Sequence, residues 1–339
     1  MSKYKENLTR LIGQTPLLKL SRIEVELGVE IMGKCEFLNP SGSLKDRILL
    51  HILTSAIREG KLRPGMTILE ATTGNTGIAT AMMGAYLGYP VVIVMPEGMS
   101  EERKKAICAF GAEILFTPGG ESDVDLTLKK VQELLGQEPG KYFWVDQFNN
   151  PLNVEAHYRT TGPEIWEQTG GELDAFIASQ GSAGTITGVA RFLKEKKSSI
   201  KVYAIEPEEC AILAGRGWGS HQIEGIGDGF VPSIFDLTLL DGVVLVSSKE
   251  AIDMAKRLSR EEGLFVGIST GANVAGALKL KKTYPEFKRI VTMFNDHGFR
   301  YLSTALLGAE KVVEVPEREH HTGLTEEQKS ILKSLEVIE

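Results

Sequence analysis

The chain has 339 residues, 42% of them hydrophobic and 24% charged, the make-up of a folded protein large enough for two domains rather than of a disordered or fibrous one. A formal net charge of −7 argues against nucleic acid or an anionic membrane as the main partner, because both call for a basic face. A small-molecule partner fits better.

Residues 1–9 are charged and polar, without the apolar core of a targeting segment. No apolar run approaches the roughly 18 residues that span a bilayer, so the sequence reads as cytoplasmic. From there, short β-branched runs predict strands at 30–35, 67–71, 91–95, 113–116, 142–145, 175–178, 202–205, 243–246, 265–268 and 290–294. Between them, helical spacing predicts helices at 43–59, 75–87, 100–110, 123–136, 152–168, 184–196, 249–262, 271–283 and 299–308. Gly60 and Gly88 close the first two, and Ser100 with Glu101 and Glu102 opens the third, as caps do.

This alternation predicts an α/β fold with mostly parallel sheets and helices on both faces. Residues 46–148 form one self-contained run and predict a smaller domain; 1–45 plus 149–310 predict a larger one, with a ligand between them. The stretch 211–231 is glycine-rich and without periodicity, hence a long functional loop. Residues 311–339 read as a polar extension ending in an amphipathic helix, 326–337.

Cys35, Cys108 and Cys210 are odd in number and widely spaced, so neither a disulfide framework nor a zinc site is indicated, and small buried apolar residues are expected. No histidine pair has the spacing of a helical metal site, and no metal is expected.

Three strand-to-helix loops and one lysine carry the chemistry. Lys45 stands at a helix mouth in Asn39-Pro40-Ser41-Gly42-Ser43-Leu44-Lys45-Asp46-Arg47. A lysine amine bonds a cofactor aldehyde when partly desolvated and near neutral, and a helix's first turn helps by placing positive partial charge beside it. Gln180-Gly181-Ser182-Ala183-Gly184-Thr185-Ile186-Thr187-Gly188 offers backbone N–H groups that can surround a phosphate without any basic side chain. Thr72-Thr73-Gly74-Asn75-Thr76-Gly77 is a second anion site, lined with hydroxyls and an amide, or an elaborate helix cap. Gly267-Ile268-Ser269-Thr270-Gly271-Ala272 repeats the form; Ser269 either bonds a ring nitrogen or caps its helix. Neither nucleotide fingerprint is present.

These motifs, with Ile223-Glu224-Gly225-Ile226-Gly227-Asp228-Gly229-Phe230-Val231-Pro232 and Asp296-His297-Gly298-Phe299-Arg300-Tyr301-Leu302-Ser303-Thr304, resemble the cysteine synthase (O-acetylserine sulfhydrylase) family, with cystathionine β-synthase a close relative. The match runs from about residue 8 to about residue 307. It implies the two-domain β-family fold of enzymes that use pyridoxal 5′-phosphate (fold type II, tryptophan synthase β-like), a homodimer, and a smaller domain closing over substrate. A complex with serine acetyltransferase belongs to the same resemblance.

By motif, Lys45 resembles the lysine that bonds the cofactor and Asn75 the contact to its 3-hydroxyl. Gly181, Ser182, Ala183, Gly184 and Thr185 resemble the phosphate loop, and Ser269 the partner of the pyridine nitrogen. Thr72, Thr73, Thr76 and Gln147 resemble the substrate-carboxylate site. The implied reaction is β-replacement on an activated serine, O-acetylserine foremost, which loses acetate to give an aminoacrylate that sulfide attacks to yield cysteine; homocysteine or water are the alternative acceptors. Ala71, Thr73 and Ala183 stand where the family often has Pro, Ser and Gly. Asp228, where a small or neutral residue is common, is the largest departure: it either assists a second nucleophile or ties its own loop together. Arg216, in the glycine-rich loop, either binds a phosphorylated serine or lies exposed.

Overall fold

A computed structural model describes residues 6–23, 28–308 and 320–339. The first five residues and the start of the 311–339 extension lie outside the described residues.

Among the described residues, eleven strands form two sheets. β1 (Leu17–Lys19), β2 (Glu30–Cys35), β7 (Ala175–Ser179), β8 (Lys201–Pro207), β9 (Gly242–Val246), β10 (Arg289–Phe294) and β11 (Glu336–Ile338) make a seven-stranded sheet in the order β1-β2-β10-β7-β8-β9-β11. β3 (Thr67–Ala71), β4 (Val91–Pro96), β5 (Glu113–Thr117) and β6 (Tyr142–Trp144) make a four-stranded one, β5-β4-β3-β6. Only the β1–β2 pair is antiparallel.

Among the described residues, ten α-helices cover the sheets: α1 (Lys45–Arg58), α2 (Asn75–Leu87), α3 (Glu101–Ala109), α4 (Val124–Gln137), α5 (Pro151–Arg159), α6 (Thr161–Thr169), α7 (Gly184–Lys196), α8 (Ser248–Glu262), α9 (Ile268–Thr283) and α10 (Glu326–Leu332). Both faces of each sheet are buried. Ile177, Ile205 and Val244 pack with α8 and α9 on one side of the larger sheet. Their strand neighbours Phe176, Ala204 and Val243 pack with α7 on the other, as the period of two along a strand requires. In the smaller sheet Ile68 and Ile93 face α1, α2 and α3, while Leu69 and Val94 face α4.

Several expectations need correction. The 265–268 run is no strand: Val266 makes a single bridge to His297, and α9 begins at Ile268. The run is apolar because it is buried between elements, not because it joins a ladder. The helix expected over 152–168 breaks at Thr160, whose φ of −126° is not helical. The helix expected over 299–308 is one 3-10 turn, Gly298–Tyr301, followed by irregular turns. α10 ends at Leu332, and the chain then forms β11 beside β9. β1 and β11, three residues each, are too short to show a period. Cys35 and Cys210 are buried, but Cys108 is exposed. No helix among the described residues is long and apolar enough to cross a membrane.

Parallel strands align their carboxyl ends, and the chemistry-bearing loops leave from those ends. β3 leads to Thr72, β6 to Gln147, β7 to Gly181 and β10 to Asn295.

Candidate active site

Lys45 is the first residue of α1, and the end of β10 sets its position. Leu44 N donates to Asn295 O at 3.0 Å, and Ser43 bridges Asp296. Arg300 donates to the carbonyls of Ser41 and Gly42, fixing the turn in front of the helix. Behind it, Arg47 donates to Glu36 and Glu164, each at 2.7 Å, so α1 is anchored through a buried ion-pair network. Burial depresses the Lys45 amine below the usual lysine range, while the charges of Asp228, Asp296 and Glu121 pull the other way.

The Gly181–Thr185 loop turns sharply into α7. Ala183 sits at φ 64°, the left-handed region that the glycine common in this loop enters freely. The loop is pressed against α5: a Cβ on Gly184 would lie 1.9 Å from Asn153 Oδ1, and one on Gly188 2.4 Å from Val154 O. Asn153 Nδ2 donates to Ser182 Oγ at 3.0 Å and to Gln147 O at 2.8 Å, joining two loops. Thr185 Oγ1 meets His157 Nε2 at 3.1 Å. Burial, with Arg47 and Lys45 nearby, holds His157 well below its usual range, hence neutral. The first turn of α7 holds no acidic side chain.

In the loop after β3, Thr76 Oγ1 donates to Gln147 Oε1 at 2.7 Å and Gln147 Nε2 donates to Ala71 O at 3.1 Å. The Gln147 turn is itself held by Glu70, which accepts from the N–H groups of Asp146 and Gln147. Thr73 Oγ1 donates to Glu121 Oε1 at 2.7 Å. Asn75 Nδ2 donates to Asp296 Oδ2 at 2.6 Å, while Asn75 Oδ1 is buried with no hydrogen-bond partner. Tyr301 donates to the same Asp296 oxygen at 2.6 Å.

Ser269, in the first turn of α9, accepts from Asn295 Nδ2 at 3.0 Å. Asp228 is 6% exposed, and its carboxyl interacts with its own backbone N–H. Burial raises it to about 7 against the opposing charge of Lys45. Glu121 is raised to about 8 by burial and then by Asp228.

Every expected site residue except Arg216 comes to one place. Lys45, Asn75, Gly181, Ser182, Ala183, Thr185 and Ser269 line one cavity, with Gly184 just behind. Thr72, Thr73, Thr76, Gln147 and Asp228 line a second, and Lys45, Asn75, Ser182 and Gly225 border both. Arg216 instead pairs with Glu339 at the surface. The site contacts of Glu121, Asn153, His157 and Asp296 were not legible from sequence, although Asp296 opens one of the motifs: each reaches a site loop distant in the chain.

Residues 8–296 match the family model described as pyridoxal-phosphate dependent enzyme, and the chain belongs to that family. It is 42% identical over 305 residues to a cysteine synthase of Staphylococcus aureus, covering 90% of this chain and 97% of that one. Among solved structures it resembles a cysteine synthase from Entamoeba histolytica (38% identity, TM-score 0.84, 98% of this chain and 95% of that one). It also resembles a hydrogen sulfide-producing enzyme from Fusobacterium nucleatum (38% identity, TM-score 0.84, 88% and 100%).

Proposed function

We propose that the protein makes cysteine by β-replacement, exchanging the leaving group of an activated serine, O-acetylserine foremost, for sulfide. The observation that carries this reading is the contiguity of two cavities, one around Lys45 and the 181–185 loop and one around the Thr72–Thr76 loop and Gln147.

The residues fit pyridoxal phosphate. The N-terminus of α7, free of acidic side chains, suits its phosphate, because first-turn N–H groups lack intrahelical partners. The unpartnered Asn75 Oδ1 suits its ring hydroxyl, Ser269 its ring nitrogen, and Lys45 its aldehyde. When bound, this cofactor withdraws electrons from the substrate α-carbon, so that the α-proton can leave and the β-substituent can be expelled.

The chain's own groups do the rest. Thr72, Thr73, Thr76 and Gln147 would bind the substrate carboxylate at the N-terminus of α2, aided by the macrodipole. The Thr73 hydroxyl is already given to Glu121 and the Thr76 hydroxyl to Gln147, so the remaining donors there are the Thr72 hydroxyl, the second amide hydrogen of Gln147 and backbone N–H groups. Lys45, its amine depressed by burial, takes the α-proton. A hydroxyl rather than a carboxylate at Ser269 leaves the ring nitrogen unprotonated, which favours loss of a β-substituent over long-lived carbanions.

A second reading rests on Asp228. A buried carboxyl raised toward neutrality beside Lys45 suits removal of a proton from a nucleophile that, unlike sulfide, must be activated. Water acting on cysteine would release sulfide, the product named for the Fusobacterium relative; homocysteine would give cystathionine.

The same resemblance supports a homodimer, a cytoplasmic location, a complex with serine acetyltransferase, and closure of residues 46–148 over the substrate to exclude water. The test is product analysis of the purified enzyme with O-acetylserine, phosphoserine, serine and cysteine, each offered with sulfide, homocysteine or water. Cysteine formed fastest from O-acetylserine and sulfide is the expected result; sulfide release from cysteine as the fastest reaction would replace the first reading with the second.

A further inference from the structure

Glu121 opens a 3-10 turn, Glu121–Asp123, between β5 and α4. The turn is locked from both sides. Asp123 Oδ2 accepts from Gly120 N at 2.8 Å. From the glycine-rich loop, Trp218 Nε1 donates to Ser122 O at 3.0 Å, and Ser122 Oγ returns a bond to Gly219 O at 3.2 Å. Held in this way, Glu121 Oε1 accepts from Thr73 Oγ1 and from Gly225 N, each at 2.7 Å. Its second oxygen, Oε2, is buried with no hydrogen-bond partner, and the residue as a whole is 4% exposed.

Thr73 and Gly225 line the cavity that Asp228 also lines. Glu121 therefore lies behind the Thr73 and Gly225 part of the wall of the cavity that Asp228 lines. The charged groups acting on Glu121 are Asp228, Arg103 and Lys45. Arg103 is already engaged: it pairs with Glu224, donates to Tyr301 Oη at 2.7 Å, and lies 3.8 Å from Asp296. Asp228 faces Lys45, and its charge is felt by the Cys210 thiol and by Glu121. Two buried carboxyls, one lining a cavity and the other bonded to residues that line it, do not both ionise readily when each feels the other's charge, and they titrate as a pair.

We propose that Glu121 is the positioning partner of Asp228: the two carboxyls share one proton, held on Glu121 while Lys45 keeps Asp228 ionised and ready to take the proton of an incoming nucleophile. This rests on the reading of Asp228 as the group that accepts that proton. Glu121 and Thr73 come from the connections of the four-stranded sheet, whereas Gly225 and Asp228 come from the β8–β9 connection of the seven-stranded one. The Glu121–Gly225 bond thus joins a connection of one sheet to a connection of the other. The transfer is a simple one. The S–H or O–H bond of the nucleophile breaks, its electron pair stays with sulfur or oxygen for the new bond to carbon, and the proton ends on Asp228.

The test compares wild type, Glu121→Gln, Asp228→Asn and the double variant. Glutamine keeps the oxygen that Thr73 and Gly225 use but cannot ionise. In thermal unfolding of the cofactor-free protein, a carboxyl whose folded pKa is raised lowers stability as pH climbs from its unfolded value, 4.5, to its folded value, about 8. The Tm advantage of Glu121→Gln over wild type should therefore grow across that window and level off above it. In the Asp228→Asn background the same advantage should be smaller and complete at lower pH. Strictly additive effects of the two substitutions at every pH would overturn the shared proton, whatever the enzyme makes.

The cofactor-loaded enzyme supplies the second readout, the pH profile for consuming a thiol or water after the donor has lost its leaving group. Wild type should show two ionisations, of which Glu121→Gln keeps only the lower one, that of Asp228, because Glu121 is uncharged when Asp228 ionises. An unchanged profile would overturn the proposal. Coupled melting curves with a nucleophile step indifferent to Asp228→Asn would uphold the shared proton and overturn Asp228 as the proton acceptor, which separates the two failures.

Discussion

Ser269 Oγ accepts a hydrogen bond from Asn295 Nδ2 at 3.0 Å, so the serine proton is directed away from Asn295 and is available to a ring nitrogen. Asn295 also reaches Ser179 Oγ at 3.3 Å, which softens the loss when Ser269 is cut back. Ser269→Ala should lower unfolding stability by about 1 kcal/mol, the net worth of one buried hydrogen bond, and weaken cofactor binding about tenfold. Urea unfolding and equilibrium dialysis check the two parts. Unaltered cofactor affinity would place the ring nitrogen elsewhere.

Thr76 and Gln147 form one unit through their 2.7 Å hydrogen bond. Thr76→Val and Gln147→Ala should each raise KM for the amino-acid donor about tenfold, equivalent to ~1.4 kcal/mol, and leave the absorbance of the resting cofactor untouched. Steady-state kinetics alongside a spectrum of the resting enzyme decide it. Normal KM values in both variants would mean that the carboxylate binds at another site.

The 181–185 loop, proposed to hold the phosphate, predicts opposite outcomes at adjacent positions. Ala183→Gly relieves a side chain held at φ 64° and should stabilise the fold by about 1 kcal/mol. Gly184→Ala adds a Cβ that would sit 1.9 Å from Asn153 Oδ1, and should cut cofactor affinity at least tenfold because the loop must move. If Gly184→Ala binds cofactor like wild type, the 181–185 loop is not the phosphate site.

Strands with β-branched runs and loops of small residues were legible because each signals its structure locally. Thr67–Ala71 followed by Thr72–Gly77 announces a strand, a turn and a helix without reference to the rest of the chain. What positions those loops was not legible. Asn75 depends on Asp296, 221 residues away, and Thr73 on Glu121, 48 away; a lone aspartate or glutamate reads as a solvated surface charge until the fold buries it. Val266 shows the reverse failure, since burial alone made a connector resemble a strand.

Lys45 is the residue on which the proposed chemistry turns. Borohydride reduction of the cofactor-loaded enzyme, followed by peptide mapping, should find the pyridoxyl group on Lys45 alone, and Lys45→Ala should lose both the absorbance near ~410 nm typical of this cofactor bonded to lysine and all turnover. A pyridoxyl group fixed to any other lysine, or turnover retained in Lys45→Ala, would contradict it.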